Sequence, residues 1–207
     1  MFALVQDNTI TKMISGNRGI TLGDIQYPRS IFSLWSASEK EAIGIYEVVF
    51  NNTNKKDEAY YTKTNQSFAF ADGVVTASFG SATAKLLEDR NEVDEAGEPL
   101  LDDNGDQVVT KGLKSQKKDI IKQQASGLLT PTDWYILKAT DVESYSVPSA
   151  ITTYRANVRT KSNTMETAID NAADVDALAT LYEYVNTGTE ENPVMERPLS
   201  EWPELEV

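Results

Sequence analysis

The chain contains no cysteine and no histidine. Without them there is no disulfide framework, no thiolate nucleophile and no Cys/His zinc site. There is also no imidazole to act as a general base near neutral pH, so acid–base chemistry is left to carboxylates, lysine or tyrosine. Long apolar runs are missing too: none approaches the roughly 18 residues that a membrane-spanning helix needs. Basic side chains are scarce, 19 Lys and Arg against 32 Asp and Glu, giving a net charge of −13. Duplex nucleic acid and anionic membranes both demand a basic surface, so neither is expected as a partner. Met1 to Asp7 has neither the basic region nor the apolar length of a signal peptide, and the expectation is a chain made and kept in a cytoplasm or assembled there. No Gly-x-Ser-x-Gly elbow occurs, and Gly16-Asn17-Arg18-Gly19 lacks the spacing and the following Lys-Ser/Thr of a nucleotide phosphate loop.

What is present suits a folded protein. The 207 residues, 40% hydrophobic and 25% charged, are enough for one or two domains with a real core. Phe2–Val5 and Thr9–Ile14 read as strands around an Asp7-Asn8 turn, and Asp72-Gly73 marks a second hairpin before Val74–Phe79. Ser36-Ala37-Ser38-Glu39 fits a capping box for a short helix ended by Gly44, and Ile45–Phe50 follows as a β-rich run. Between Ala59 and Phe70 aromatic and polar residues alternate, with Tyr61, Phe68 and Phe70 expected in the core. Residues 1–87 are therefore read as a β-rich domain, with Ser81 to Arg90 helical at its end.

Composition then shifts. Between Glu88 and Asp106 lie nine acids against Arg90 alone, with Gly97, Pro99 and Gly105, which makes 88–111 an acidic linker or protruding hairpin. Asp102-Asp103-Asn104-Gly105-Asp106 does not fit a calcium loop, whose glycine belongs at the sixth position, and reads as a solvated turn. No internal repeat is read. Residues 112–185 form a helical domain. Leu113–Ser126 is an amphipathic helix, with Leu113, Lys117, Ile120, Ile121 and Gln124 on one face and Gly127 as its stop. Its lysines suit a solvated face or an intramolecular partner for the acidic segment. Asp133 to Lys138 reads as extended, Pro148 opens a long helix, and Ile151, Tyr154, Val158, Met165 and Ile169 recur on one side of it. Arg155 and Arg159 suit either an anion site or a tie between this helix and Asp133 or another acid. Asp174 caps a last helix, and 186–207 is a polar tail whose Trp202 implies docking. The fold class is α+β. No catalytic constellation, metal site or cofactor site is read, and with 32 acids the abundance of carboxylates is no signal for glycoside hydrolysis.

Three stretches, Leu128-Leu129-Thr130-Pro131-Thr132-Asp133-Trp134-Tyr135, Val147-Pro148 and Tyr154-Arg155-Ala156-Asn157-Val158-Arg159, together resemble the C-terminal region of bacteriophage tail-fibre assembly and tail-fibre-associated proteins. The likeness spans residues 112–173, and its motifs are structural rather than catalytic. It implies a non-enzymatic virion protein of the tail, a fibre, adaptor or tip component that binds other fibre or baseplate proteins as a homo-oligomer. Its expected location is the virion, after assembly in the bacterial host cytoplasm. A tail-fibre assembly chaperone is the alternative reading, and a glycan-binding or glycan-cleaving recognition protein the second. Trp134, Tyr135, Tyr154 and Arg155, with Trp202 of the tail, are the interface candidates, since aromatics and arginine are enriched in interface cores. Packing of the helices against the central segment would use the same residues.

Overall fold

The computed structural model describes residues 1–205, and the architecture is α+β: a β-rich N-terminal part followed by a helical one. The chain divides into two compact units, Met1–Thr83 and a second that begins at Ala84. The division falls four residues before Glu88, where the acidic composition sets in.

In the first unit, β1 (Phe2–Gln6), β2 (Thr9–Ile14), β5 (Ile45–Phe50), β7 (Gln66–Ala71) and β8 (Val74–Phe79) form a five-stranded sheet in the order β2-β1-β5-β8-β7. Its two hairpins turn where the sequence places them. Asp7 and Asn8 (φ 47° and 63°) and Asp72 and Gly73 (φ 51° and 77°) hold the successive positive φ angles that match the twist of paired strands. Pairing is antiparallel except between β5 and β8, which run parallel. The edge strands β2 and β7 approach one another, so the sheet curls into a half-barrel. Ala3, Val5, Val48, Val75 and Ala77 are buried on one face, with Ile10, Met13, Tyr46 and Phe70 around them. The other face carries Leu4, Ile14 and Ile45. It is covered by Ile20 of β3 (Ile20–Leu22), which pairs with β4 (Ile25–Tyr27), and by Ile31 and Phe32 of α1 (Ile31–Leu34). Of the alternating aromatics, Phe70 packs into the core while Phe68 stays 36% exposed. Ser36 and Glu39 make the full capping box at α2 (Ala37–Glu41). A short strand β6 (Tyr61–Thr62) precedes β7, and β9 (Thr83–Ala84) lies at the boundary of the units.

The second unit opens with a correction. Ser81 to Arg90 contains no helix; beyond β9 its only regular element is the start of β10 (Arg90–Asn91). The reason lies 25 residues on, at α3 (Leu113–Leu129), whose first N–H groups have no partner inside the helix. Leu113 N–H donates to Leu86 O and Lys114 N–H to Leu87 O, while Gly112 N–H donates to the Asp89 carboxylate, which also accepts from the Ser115 hydroxyl. An extended 86–89 segment thus caps α3 from outside. Gly112 is required there, since a Cβ would stand 2.3 Å from Glu88 O.

The acidic segment between them is an ordered three-way β junction, and the absence of a repeat is corrected with it. Asp94-Glu95-Ala96-Gly97-Glu98 and Asp102-Asp103-Asn104-Gly105-Asp106 form the same turn eight residues apart. In each, the Asp carboxylate accepts two backbone N–H groups and the glycine is left-handed (φ 85° and 84°). The third arm is the stem, β10 paired with β11 (Val109–Thr110). At the centre the hydrogen bonds close a ring: Glu92 N–H to Val108 O, Val108 N–H to Leu100 O, and Leu100 N–H to Glu92 O. The Gln107 side-chain amide lies 2.8, 3.0 and 3.0 Å from the three carbonyls of that ring.

α3 packs antiparallel on α5 (Ser149–Asp170), as the pairs Lys118–Asp170 (2.7 Å) and Lys122–Glu166 (3.6 Å) require. The buried residues of α3 are Leu113, Lys114, Ile121 and Ala125, while Ile120, expected on that face, is 44% exposed. On α5 the buried stripe is the expected one, Ile151, Tyr154, Val158, Met165 and Ile169. Asp174 caps α6 (Val175–Thr180) through Ala177 N–H. Next come the paired strands β12 (Val185–Asn186) and β13 (Met195–Glu196), and the tail then returns to the helices with Leu199 buried.

Two expected outcomes follow from this unit. Gln107→Leu removes a second donor from three carbonyls that each keep their backbone N–H partner, a loss of about 0.5–1.5 kcal/mol, the net worth of a hydrogen bond. Exchange of the Glu92, Leu100 and Val108 amides should accelerate while helix content by circular dichroism holds; unchanged exchange would show that the ring does not need the amide. The second outcome concerns pH. The Gly112 N–H and the Ser115 hydroxyl hold the Asp89 carboxyl below the usual aspartate range. Its ionised form therefore favours the fold: that stabilisation is complete above the ordinary aspartate pKa and is lost as pH falls through the lowered one. Asp89→Asn should flatten the acid limb of the melting temperature of the helical unit, and an unaltered acid limb would remove Asp89 as its cause.

Candidate interaction site

The chain leaves α3 without a break. Gly127 lies inside the helix rather than stopping it, and Thr130–Thr132 continue as a 3-10 turn before α4 (Asp133–Asp141). The extended reading of Asp133 to Lys138 is therefore corrected to helix. Trp, Tyr and Ile favour strands, but the backbone enters Asp133 already helical (φ −66°, ψ −32°), and the Asp133 carboxylate complements the positive start of the helix. Pro131 is tolerated because the first N–H groups of such a turn need no partner.

Arg155 holds this corner. Only 8% exposed, its Nη1 lies 2.7 Å from Asp133 Oδ1, 3.0 Å from Leu129 O and 2.5 Å from Thr132 Oγ1. The tie to Asp133 is thus the one formed, and Arg159 instead reaches the Arg155 carbonyl at 3.4 Å. Beside it Tyr154 is buried with Ala125 and Val158, and Leu128, Leu129 and Trp202 close over that cluster. Trp202 is half-buried, and its indole N–H donates to Gln124 Oε1 at 3.1 Å, which fastens the tail across α3 and α5. Three of the five candidates, Tyr154, Arg155 and Trp202, therefore point into their own chain.

Trp134 and Tyr135 are placed differently. α4 has no buried residue at all. Trp134 is 50% exposed, Ile136 41% and Leu137 65%, with Val142 at 40% just beyond the helix. The Trp134 and Tyr135 rings stack at 3.8 Å between centroids, and Lys138 lies over both the Trp134 and the Tyr145 rings. Such contacts rigidify an aromatic patch without removing it from water. Sequence reasoning overlooked Leu137 and Ile136 because an extended Asp133 to Lys138 divides its side chains between two faces. Helical spacing, tested over 133–141, was the signal available.

The lysines of α3 are occupied. Lys111 meets Asp119, Lys114 meets Glu88 of the acidic segment, Lys118 meets Asp170, and Lys117 lies 4.8 Å from the centre of the Tyr182 ring. Among the described residues no three acidic side chains come together as a metal site, and no helix is long and apolar enough to cross a membrane.

Truncating the two kinds of residue should separate them. Arg155→Ala leaves the Leu129 carbonyl and the Thr132 hydroxyl bonded only to each other, takes the ion-pair partner from Asp133 and frees α4, at a cost on the order of 2 kcal/mol. Trp134→Ala should cost about 1 kcal/mol, the worth of a stacked surface aromatic, rather than the 3–5 kcal/mol of a core one. Thermal unfolding of both variants checks this; equal losses would place Trp134 in the core after all. No protein-family model, no curated protein and no solved structure matches the chain.

Proposed function

We propose that this chain is a non-enzymatic structural component of a bacteriophage tail, a fibre, adaptor or tip protein, and that it works by binding another tail protein through α4. The observation that carries the reading is a helix with no buried residue: Trp134, Ile136 and Leu137 are exposed beyond a corner that Arg155 holds rigid. Trp134 and Leu137 stand one helical turn apart on the same side of α4, and exposed apolar side chains so placed mark an interaction surface in which the aromatic has the character of a hot spot. The likeness of the Thr130–Tyr135 and Tyr154–Arg159 stretches to tail-fibre-associated proteins supports the same assignment.

Charge narrows the partner. From Ala84 on, the sequence has 24 acidic against 12 basic side chains, so repulsion between like copies is strong and the favoured contact surface is basic at its rim. An assembly chaperone would use the same helix for a contact that does not persist.

Quantitative mass spectrometry of purified virions of the encoding phage tests the proposal, with a Trp134→Ser/Leu137→Ser variant supplied in parallel. The wild-type chain should be present in fixed stoichiometry, and the variant should be lost from particles while melting within a few degrees of wild type. Presence in infected cells but absence from virions would replace the structural role by the chaperone. Undiminished incorporation of the variant would remove α4 from the contact.

A further inference from the structure

The N-terminal unit carries a cavity that the proposed role of α4 does not use. β2 is an edge strand, paired among the described residues with β1 alone, and at its end residues 15–19 lead the chain over into β3. Ser15, Gly16, Arg18 and Gly19 of this loop, with Lys12, line a cavity of about 460 Å³. The volume lies within the range of small-molecule sites, roughly 300–1,000 Å³.

Loop geometry and charge both bear on what fits there. Gly16 is left-handed (φ 74°), and a Cβ on it would come within 2.9 Å of the Phe2 ring, so the turn is set by the core beneath it. Ser15 Oγ donates to Asn17 Oδ1 at 2.6 Å and braces the turn from the outside. The N–H groups of residues 16–19 donate to no backbone carbonyl among the described residues. Successive free N–H groups around a left-handed residue form a concavity that suits an anion.

The cations complete the case. Seven of the twelve cations of the second unit face a carboxylate; what sets Lys12 and Arg18 apart is their place on one cavity. Lys12 and Arg18 are both exposed, make no ion pair among the described residues, and share one cavity. In an acidic protein, two cations left beside free backbone donors lower the energy of an oxyanion far more than they contribute to the fold. Each adds attraction at close range, and the arginine adds a planar pair of donors.

We propose that the Lys12–Arg18 cavity binds a small molecule through its phosphate or carboxylate group. The oxyanion sits on the N–H groups of Gly16, Arg18 and Gly19, with the Lys12 and Arg18 side chains at its sides. The rest of the ligand occupies the cavity toward Thr21. This site lies on the sheet unit and is independent of α4 and of any tail partner.

The test is a titration of backbone amide resonances at constant ionic strength, with chloride as the reference. Inorganic phosphate and glucose 6-phosphate probe the phosphoryl case, and glucuronate probes the carboxylate. Saturable shifts of the Gly16 to Gly19 amides are expected in the millimolar range or below for at least one of them. Lys12→Gln combined with Arg18→Gln should weaken that binding about tenfold or more, which corresponds to about 1.4 kcal/mol. Both positions are exposed, so the spectrum elsewhere should not change. Saturation by the phosphates alone makes the ligand a phosphate ester, and saturation by glucuronate alone makes it a carboxylate. Linear shifts that never saturate, or an affinity unaltered in the double variant, would overturn the site.

Discussion

A single guanidinium organises the helical unit. Arg155 is almost wholly buried on α5, yet its hydrogen-bonding partners all lie in the corner between α3 and α4: a main-chain carbonyl, a hydroxyl and a carboxylate. A buried charge without partners is untenable, so the corner must present those acceptors in one place. That requirement keeps Thr130–Thr132 in a tight turn and directs α4 away from the α3–α5 pair. The exposure of Trp134 and Leu137 follows from this arrangement. The structure holds rigid the residues that carry its apolar surface without covering them.

Charge is handled differently in different parts of the chain. Around α3, lysines and acids pair across helices, and Lys114 reaches back to Glu88 so that the start of the acidic segment is neutralised. Farther along, the acids are accommodated by the backbone. Asp94 and Asp102 spend their oxygens on the N–H groups of their own turns, and the Asp106 and Asn104 N–H groups keep the Asp102 carboxyl below its usual range. This lets a 17-residue stretch from Glu92 to Val108 stay ordered with no hydrophobic core of its own. Val93, Leu101 and Val109, at equivalent positions of the junction, remain 57%, 55% and 43% exposed. Main-chain hydrogen bonds closed on the Gln107 amide take the place of burial.

The two units therefore present surfaces of contrasting chemistry. The sheet unit is nearly neutral, with seven basic and eight acidic side chains up to Thr83, and Lys12 and Arg18 lie beside a glycine turn. The helical unit is strongly acidic and offers an aromatic helix. Aromatics are divided in the same way within the helical unit: Tyr154 and Trp202 pack on the α3–α5 pair, and Trp134 of α4 is left exposed.

Several elements were determined by the sequence alone, because their causes lie within four residues. Asp7-Asn8 and Asp72-Gly73 turn hairpins since those residues accept left-handed angles, Ser36 and Glu39 cap one another, and Asp174 caps its own helix. The apolar stripe of α5 was legible for the same reason, as was the α+β class. What tertiary structure decided involves partners far apart in the chain. Leu86 to Asp89 is extended because α3 needs its carbonyls and its carboxylate, 25 residues away, and Glu92 to Val108 closes a ring only when three segments meet. The strand-like Trp134-Tyr135-Ile136 became helical because the turn before it and Arg155 behind it left no other path. Among the candidate site residues, residue type named Trp134 and Arg155 equally. Their opposite fates, one in water and one buried, were fixed by the packing of α5 against α3, which no local pattern encodes.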